Sequence, residues 1–153
     1  MKTILHSTDP SPILVVDDDK DDQFFLKEAL LHTIPRALVQ SLYDGAEAIQ
    51  YLIKCIIPPD LIFLDLNMPR KNGEECLIEI KKDPKLKDIP VIIYSTSFRE
   101  DIADELYKNG AHYYMQKRDF PELAESIQQV LSLLAENPHQ PPRDKFIFTL
   151  SKV

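Results

Sequence analysis

Three apolar runs in this chain end in residues that a buried segment does not ordinarily accept. Ile13-Leu14-Val15-Val16 runs into Asp17 and Asp18, Leu61-Ile62-Phe63-Leu64 into Asp65, and Tyr113-Tyr114-Met115-Gln116 into Lys117. Carboxylates gathered in space repel one another, and a single lysine does not neutralise three of them; a divalent cation with oxygen ligands does. A carboxylate is also a nucleophile toward phosphorus, forming an acyl phosphate. Phosphoryl transfer asks mainly for positioning and charge neutralisation, with a cation, a lysine and a hydroxyl around the transferred group. Asp18 and Asp65 suit the few carboxylates that magnesium prefers, Lys117 supplies the ammonium, and Ser95, Thr96 and Ser97 close a fourth apolar run, Val91-Ile92-Ile93-Tyr94.

These groups meet only if the runs are neighbouring strands. Runs of about four to eight β-branched and aromatic residues, bounded by Pro or Asp, are the pattern of strands covered on both faces. Helix-like segments alternate with them. Phe25, Leu26, Ala29 and Leu30 recur within 22–32, and Ala48, Ile49, Leu52 and Ile53 within 47–57, after a turn ended by Gly45. Leu77, Ile78 and Ile80 lie in 74–82, and Ile102, Ala103 and Leu106 in 101–109 before the helix-stop Gly110. Leu123, Ile127, Val130, Leu131 and Leu134 share one face of 120–134, and Leu38 to Leu42 completes five strands. Five strands alternating with five helices predict an α/β fold, a five-stranded parallel sheet with helices on both faces. Right-handed crossovers favour the order 2-1-3-4-5, which places the first and third strands side by side and Asp17, Asp18 and Asp65 at one rim.

At 153 residues the chain suits one domain. The expected organisation is an extension over 1–12, the folded domain over 13–135 and a Pro-rich tail over 136–153. The tail carries the β-prone run Phe146-Ile147-Phe148-Thr149-Leu150, for which packing on its own domain, partner contact and disorder all remain open. Acidic residues outnumber basic ones 25 to 18, a net charge of -7 that argues against nucleic acid as the main partner. No apolar stretch approaches a membrane span, and the first dozen residues lack the pattern of a secretory signal, so a cytoplasmic location is expected. Cys55 and Cys76 lie in apolar-periodic segments without metal spacing and read as reduced, buried packing residues. His6, His32, His112 and His139 are scattered and read as surface or partly buried histidines.

The stretch from Asp17 to Glu28 also imitates a calcium loop, with acids at positions 1, 3 and 5 and a glutamate at 12. It fails at position 6, where Asp22 stands in place of the glycine required by the sharp turn, and it follows a strand pattern rather than a helix. Asp19, Asp21 and Asp22 are instead expected to cap the first helix and favour its positive end.

In order and spacing, ILVVDDD, LIFLDLNMP, VIIYSTS and YYMQK resemble the receiver domain of two-component response regulators, over roughly Ile13 to Leu134. The likeness extends to small single-domain, chemotaxis-regulator-like members. The resemblance implies that Asp65 is the phosphoacceptor, that Asp18 holds Mg2+ directly and Asp17 through water, and that the backbone carbonyl of Asn67 is a further ligand. It implies that Ser95 is the switch hydroxyl, that Lys117 contacts the phosphoryl group, and that Tyr114 is the aromatic whose rotamer follows phosphorylation. Asn67 and Ser97 match positions that influence how water reaches the phosphoaspartate. Arg118 departs from the family, which usually has Pro after the lysine, so a different loop is expected there.

The implied partners are a sensor histidine kinase or phosphotransfer protein upstream and a protein target downstream, with homodimer formation open; no nucleic acid or membrane partner is implied. IKKDPKLKDIPVIIYSTS is also similar to regulators paired with phytochrome-type kinases. Tyr107, Lys108, Glu122 and the 146–150 run are the candidate output groups. A haloacid-dehalogenase-type phosphatase also uses a strand-end Asp, magnesium and lysine, but its DxD pattern is broken here by Asn67, and its acid pair comes late in the chain rather than first. A degenerate receiver that only binds is opposed by the complete set Asp17, Asp18, Asp65, Ser95 and Lys117.

Overall fold

The structure, a computed structural model, describes residues 9–150. His6 and most of the expected N-terminal extension lie outside the described residues. Ten elements alternate: β1 (Ser11–Val16), α1 (Lys20–Thr33), β2 (Ala37–Leu42), α2 (Gly45–Lys54), β3 (Leu61–Asp65), α3 (Gly73–Lys82), β4 (Val91–Ser95), α4 (Ala103–Lys108), β5 (Tyr113–Gln116) and α5 (Glu122–Glu136). All strands are parallel in the order β2-β1-β3-β4-β5, as the alternating pattern predicts.

Successive strand side chains point to opposite faces, and this alternation divides the apolar residues into two cores. Ile13, Val15, Phe63, Ile92, Tyr94 and Met115 pack against α1 and α5 through residues such as Leu26, Leu30, Ile127 and Leu131. Leu14, Val16, Ile62, Leu64, Ile93 and Tyr114 pack on the other face with Leu52, Leu77 and Leu106 from α2, α3 and α4. Helix starts are set by polar caps. Asp19 accepts from the N–H groups of Asp21 and Asp22, Asp44 accepts from that of Glu47, and Asn72 with Glu75 forms a reciprocal capping box.

Several expected boundaries move. Ser11 and Pro12 belong to β1, where Ser11 pairs with Ala37 and its hydroxyl donates to Asp60, so the first strand begins before Ile13. Gly45 opens α2 behind its Asp44 cap rather than ending the turn, and α2 stops at Lys54, short of Ile57. The segment expected as one helix over 101–109 is a 3-10 turn over Glu100–Ile102 followed by the short α4. Cys76 is buried, and that burial pushes its thiol up to about 12, whereas Cys55 is half-buried; both are free thiols. Among the described residues no helix is long and apolar enough to cross a membrane.

The tail folds back onto the domain. The Tyr114 N–H donates to the Phe146 carbonyl at 3.1 Å, and the Phe148 N–H donates to the Tyr114 carbonyl at 2.9 Å. These bonds form a parallel bridge that continues the sheet beyond β5. Phe146 is fully buried, edge-on to Tyr107 at 5.2 Å and tilted against Tyr114 at 6.4 Å. The Gln140 amide donates to the carbonyls of Tyr107 and Ala111, the Tyr107 hydroxyl donates to the Pro141 carbonyl, and Arg143 pairs with Asp104 at 2.7 Å. Tyr107, expected as an exposed output group, is therefore half-buried and engaged by the chain's own tail.

Removing a buried Phe side chain costs about 3–5 kcal/mol when the site cannot collapse. Phe146→Ala is expected to lower unfolding free energy by about that amount, read as a lower urea midpoint at unchanged slope. A loss below about 0.5 kcal/mol would mean that the tail is not part of the cooperative unit.

Candidate phosphoacceptor and cation site

Because β1 and β3 are paired with Val16 opposite Leu64, Asp17, one residue past β1, comes beside Asp65, the last residue of β3. Both are buried and Asp18 is exposed. One carboxylate oxygen from each of Asp17, Asp18 and Asp65 lies within 4.8 Å of the others, the one such grouping of metal-ligating side chains among the described residues. The histidines stand apart from it: His32 and His139 are exposed, and His112 is buried.

Lys117 reaches this group from the end of β5. Its Nζ lies 2.9 Å from Asp17 Oδ2, 2.9 Å from Asp22 Oδ2 and 3.4 Å from Asp65 Oδ1. Its backbone N–H donates to the Ser95 carbonyl at 2.8 Å, and its stem lays the ammonium over the Tyr94 ring, 4.9 Å from the centroid. Asp22 was expected only as a helix-start acid; it also holds this lysine. No calcium loop forms, since α1 begins at Lys20 and takes in Asp21 and Asp22.

Asp17 is fixed from three sides. Oδ1 accepts the Asp19 N–H at 3.0 Å, Oδ2 accepts the Tyr94 hydroxyl at 2.7 Å, and its carbonyl accepts from the Gln23 amide. Gln23 also donates to the carbonyls of Val15 and Leu42, so one buried side chain of α1 ties off the ends of β1 and β2. Sequence reasoning missed Gln23, Tyr94 and the second role of Asp22. Gln23 carried a signal, because it falls three residues before Leu26 on the apolar face of the helix.

The charges are not balanced by the protein alone. Burial pushes the Asp65 carboxyl up to about 7, the Asp17 carboxylate adds to the rise, and the Lys117 ammonium and the Asn67 backbone N–H oppose it. Burial would lower the Lys117 pKa, but its bonds to Asp22 and Asp17 outweigh that and hold it above the ordinary lysine value. Clustered acids, all-oxygen donors and a carboxyl raised by burial fit a hard divalent cation, which favours oxygen ligands and lowers the cost of ionising Asp65.

The remaining expected residues are near but differently engaged. Ser95 is buried and its hydroxyl donates to the Ser97 carbonyl at 2.8 Å. Tyr114 points inward, its ring stacked on Phe98 at 4.9 Å and its hydroxyl accepting the Arg99 N–H at 2.9 Å. Asn67 is exposed just past β3. Arg118 pairs with Glu122 at 3.3 Å, and the cis peptide of this loop precedes Pro121 rather than following Lys117. A Cβ on Gly73, the first residue of α3, would stand 2.3 Å from the Asp65 carbonyl oxygen. Only a glycine lets α3 start this close to the end of β3.

A five-stranded parallel sheet with an acid cluster and a lysine at the carboxyl rim defines the class, and the family model for the response regulator receiver domain matches residues 13–128. The chain belongs to that family. It is similar to the response regulator Rcp1 of Synechocystis sp., at 37% identity over 85% of this chain and 92% of that protein. It is also similar to a probable methanogenesis regulatory protein, FilR2, of Methanothrix harundinacea, at 28% identity over 83% of this chain and 85% of the relative. Among solved structures, the Mn(2+)-bound form of Rcp1 superposes with a TM-score of 0.74 at 34% identity, covering 87% of this chain and 100% of that one. The phosphorylated cyanobacterial phytochrome response regulator RcpA gives 0.76 at 34% identity, covering 87% and 99%. The protein is thus a receiver of two-component signalling.

Two outcomes follow from the geometry. In chelator, Lys117→Met is expected to raise the Asp65 titration midpoint above its value of about 7, because an ammonium that favours the carboxylate is gone. Carboxyl 13C NMR, with the Asp65 signal identified by its loss in Asp65→Asn, reads the shift. Gly73→Ala forces Cβ onto main chain that no rotamer change can clear, so a loss of about 1–3 kcal/mol in thermal unfolding is expected.

Proposed function

We propose that the protein is a stand-alone response regulator that accepts a phosphoryl group on Asp65 in the presence of Mg2+. The observation that carries the reading is the buried Asp65 carboxylate, gathered with those of Asp17 and Asp18 and 3.4 Å from the Lys117 ammonium at the rim of a receiver sheet. The donor is a phosphohistidine of a sensor histidine kinase or phosphotransfer protein. An oxygen of Asp65 attacks phosphorus in line, the P–N bond breaks, and the imidazole keeps the electron pair and takes a proton from solvent. Lys117 turns from Asp22 and Asp17 toward the new phosphoryl oxygens. Asp17, Asp18, Asp65 and the Asn67 carbonyl would hold Mg2+, which supplies charge neutralisation for the transferred group. Water later cleaves the acyl phosphate and regenerates the carboxylate, so the protein acts as a signalling switch and not as an enzyme with an external substrate.

The Ser95 hydroxyl leaves the Ser97 carbonyl for the phosphoryl group, and the Tyr114 rotamer follows, releasing the Arg99 N–H. Such a device is a two-state element tipped by a local change of charge. The signal passes to a protein target through the α4, β5 and α5 surface, where Lys108 is exposed. A phytochrome-type kinase is the donor class to try first, since RcpA is a phytochrome response regulator, and a cytoplasmic location follows from such a partner.

Intact-mass analysis after incubation with Mg2+ and a small acyl phosphate donor tests the assignment. The wild type is expected to gain one phosphoryl group and Asp65→Asn none. An unmodified wild type would end the reading, and an adduct on both proteins would move the acceptor elsewhere.

A further inference from the structure

Tyr94 stands out because nothing in the phosphoryl-transfer reading uses it. It is 2% exposed and sits on β4, whose only sheet neighbours are β3 and β5. Its hydroxyl nevertheless donates at 2.7 Å to Asp17 Oδ2, past the end of β1, so the two side chains meet across the intervening β3. A buried phenol needs a hydrogen-bond partner, but most find one on nearby backbone or water; this one is spent on a carboxylate of the acid cluster. The ring is held edge-on to Phe63 of β3 at 6.2 Å and 85°, and the Lys117 ammonium rests over its face. One side chain therefore touches both the acid proposed to hold the cation and the lysine that competes with the cation for that acid.

Resting on the function proposed above, we propose that Tyr94 is a positioning residue for the cation site. Its hydroxyl and the Asp19 N–H hold opposite oxygens of Asp17. The carboxylate plane is thereby fixed, and Lys117 shares Oδ2 instead of owning it. Without the hydroxyl, Oδ2 is left to the Lys117 ammonium 2.9 Å away, and a cation must displace that ammonium before Asp17 can serve it. Partners that orient metal ligands from outside the coordination sphere change metal affinity by about 10–100-fold when removed. The loss of affinity is thus assigned to Asp17, not to the core around the ring.

The test is Mn2+ binding, read as loss of the free-ion EPR signal, for wild type, Tyr94→Phe, Asp17→Asn and the double variant, each checked for folding in chelator by circular dichroism. Tyr94→Phe is expected to weaken Mn2+ binding about tenfold or more, and to have no further effect once Asp17 is Asn. Equal affinity in wild type and Tyr94→Phe overturns the inference and leaves the proposed function standing; so does an undiminished effect in the Asp17→Asn background. A wild type that binds no Mn2+ overturns both. Should Tyr94→Phe fail to fold, the wild type decides. Tyr94 is the one tyrosine followed by serine, so 13C-carbonyl tyrosine with 15N-serine isolates the Ser95 amide. Saturating Mg2+ is expected to shift that signal in the unphosphorylated protein, and an unmoved signal overturns the inference.

Discussion

Everything at the carboxyl rim depends on one ammonium placed among acids. Lys117 sits within 4 Å of Asp17, Asp22 and Asp65 while only 13% of its side chain is exposed. Burying charges is tolerable only when they are paired and hydrogen-bonded, and here one positive charge serves several negative ones. The surplus falls on Asp65, whose carboxyl is driven up to about 7 mainly by burial and then by Asp17. An acid poised in this way is hungry for positive charge from outside the chain. The caps and close approaches around it serve that arrangement. Asp19 starts α1 and its N–H orients Asp17, Gln23 ties α1 to the ends of β1 and β2, and Gly73 lets α3 begin against Asp65.

What could be read from the sequence followed the periodicity of burial. Strands covered on both faces are apolar throughout, so Asp17, Asp65 and Lys117 stood out as the places where each run stops, and strand order brought them together. Interactions whose partners come from distant elements left no periodic trace. Asp22 looks like any acid in a first helical turn, and its bond to Lys117 spans 95 positions. Tyr94 reads as the last apolar residue of a strand, since a phenol is as acceptable there as a Phe. The α4 boundary was missed because a 3-10 turn and a short helix share the apolar spacing of one longer helix. The tail was open for a different reason: a short β-prone run has no core of its own, and only the free edge of β5 and the pocket for Phe146 decide where it rests.

That tail resolves a problem common to open sheets. An edge strand presents unpaired N–H and C=O groups that invite association with another chain. Here β5 is one of the two edges, and at Tyr114 both backbone groups are satisfied by Phe146 and Phe148 of the same chain. Tyr114 consequently carries three attachments: its hydroxyl to the Arg99 N–H in the segment after β4, its ring to Phe98 and Phe146, and its main chain to the tail. A movement of this ring cannot occur in isolation, because Phe146 lies between it and Tyr107 of α4.

Strand alternation then sets two tyrosines behind the rim, one on each side of the sheet. Tyr94 lies in the core formed with α1 and α5, and Tyr114 in the core formed with α2, α3 and α4. They belong to adjacent strands, Tyr94 opposite Met115 and Ile93 opposite Tyr114, so the two tyrosines are one register step apart and face opposite ways. Ser95 follows Tyr94 directly, and its carbonyl accepts the N–H of Lys117, three residues after Tyr114. A displacement at the end of β4 thus acts on the acids through Tyr94 and on β5 through the Ser95–Lys117 bond. Packed cores shift between discrete arrangements rather than deforming continuously. A change of charge at Asp65 that moves this junction must therefore be accommodated on both faces together, at Asp17 on one and at Phe146 on the other.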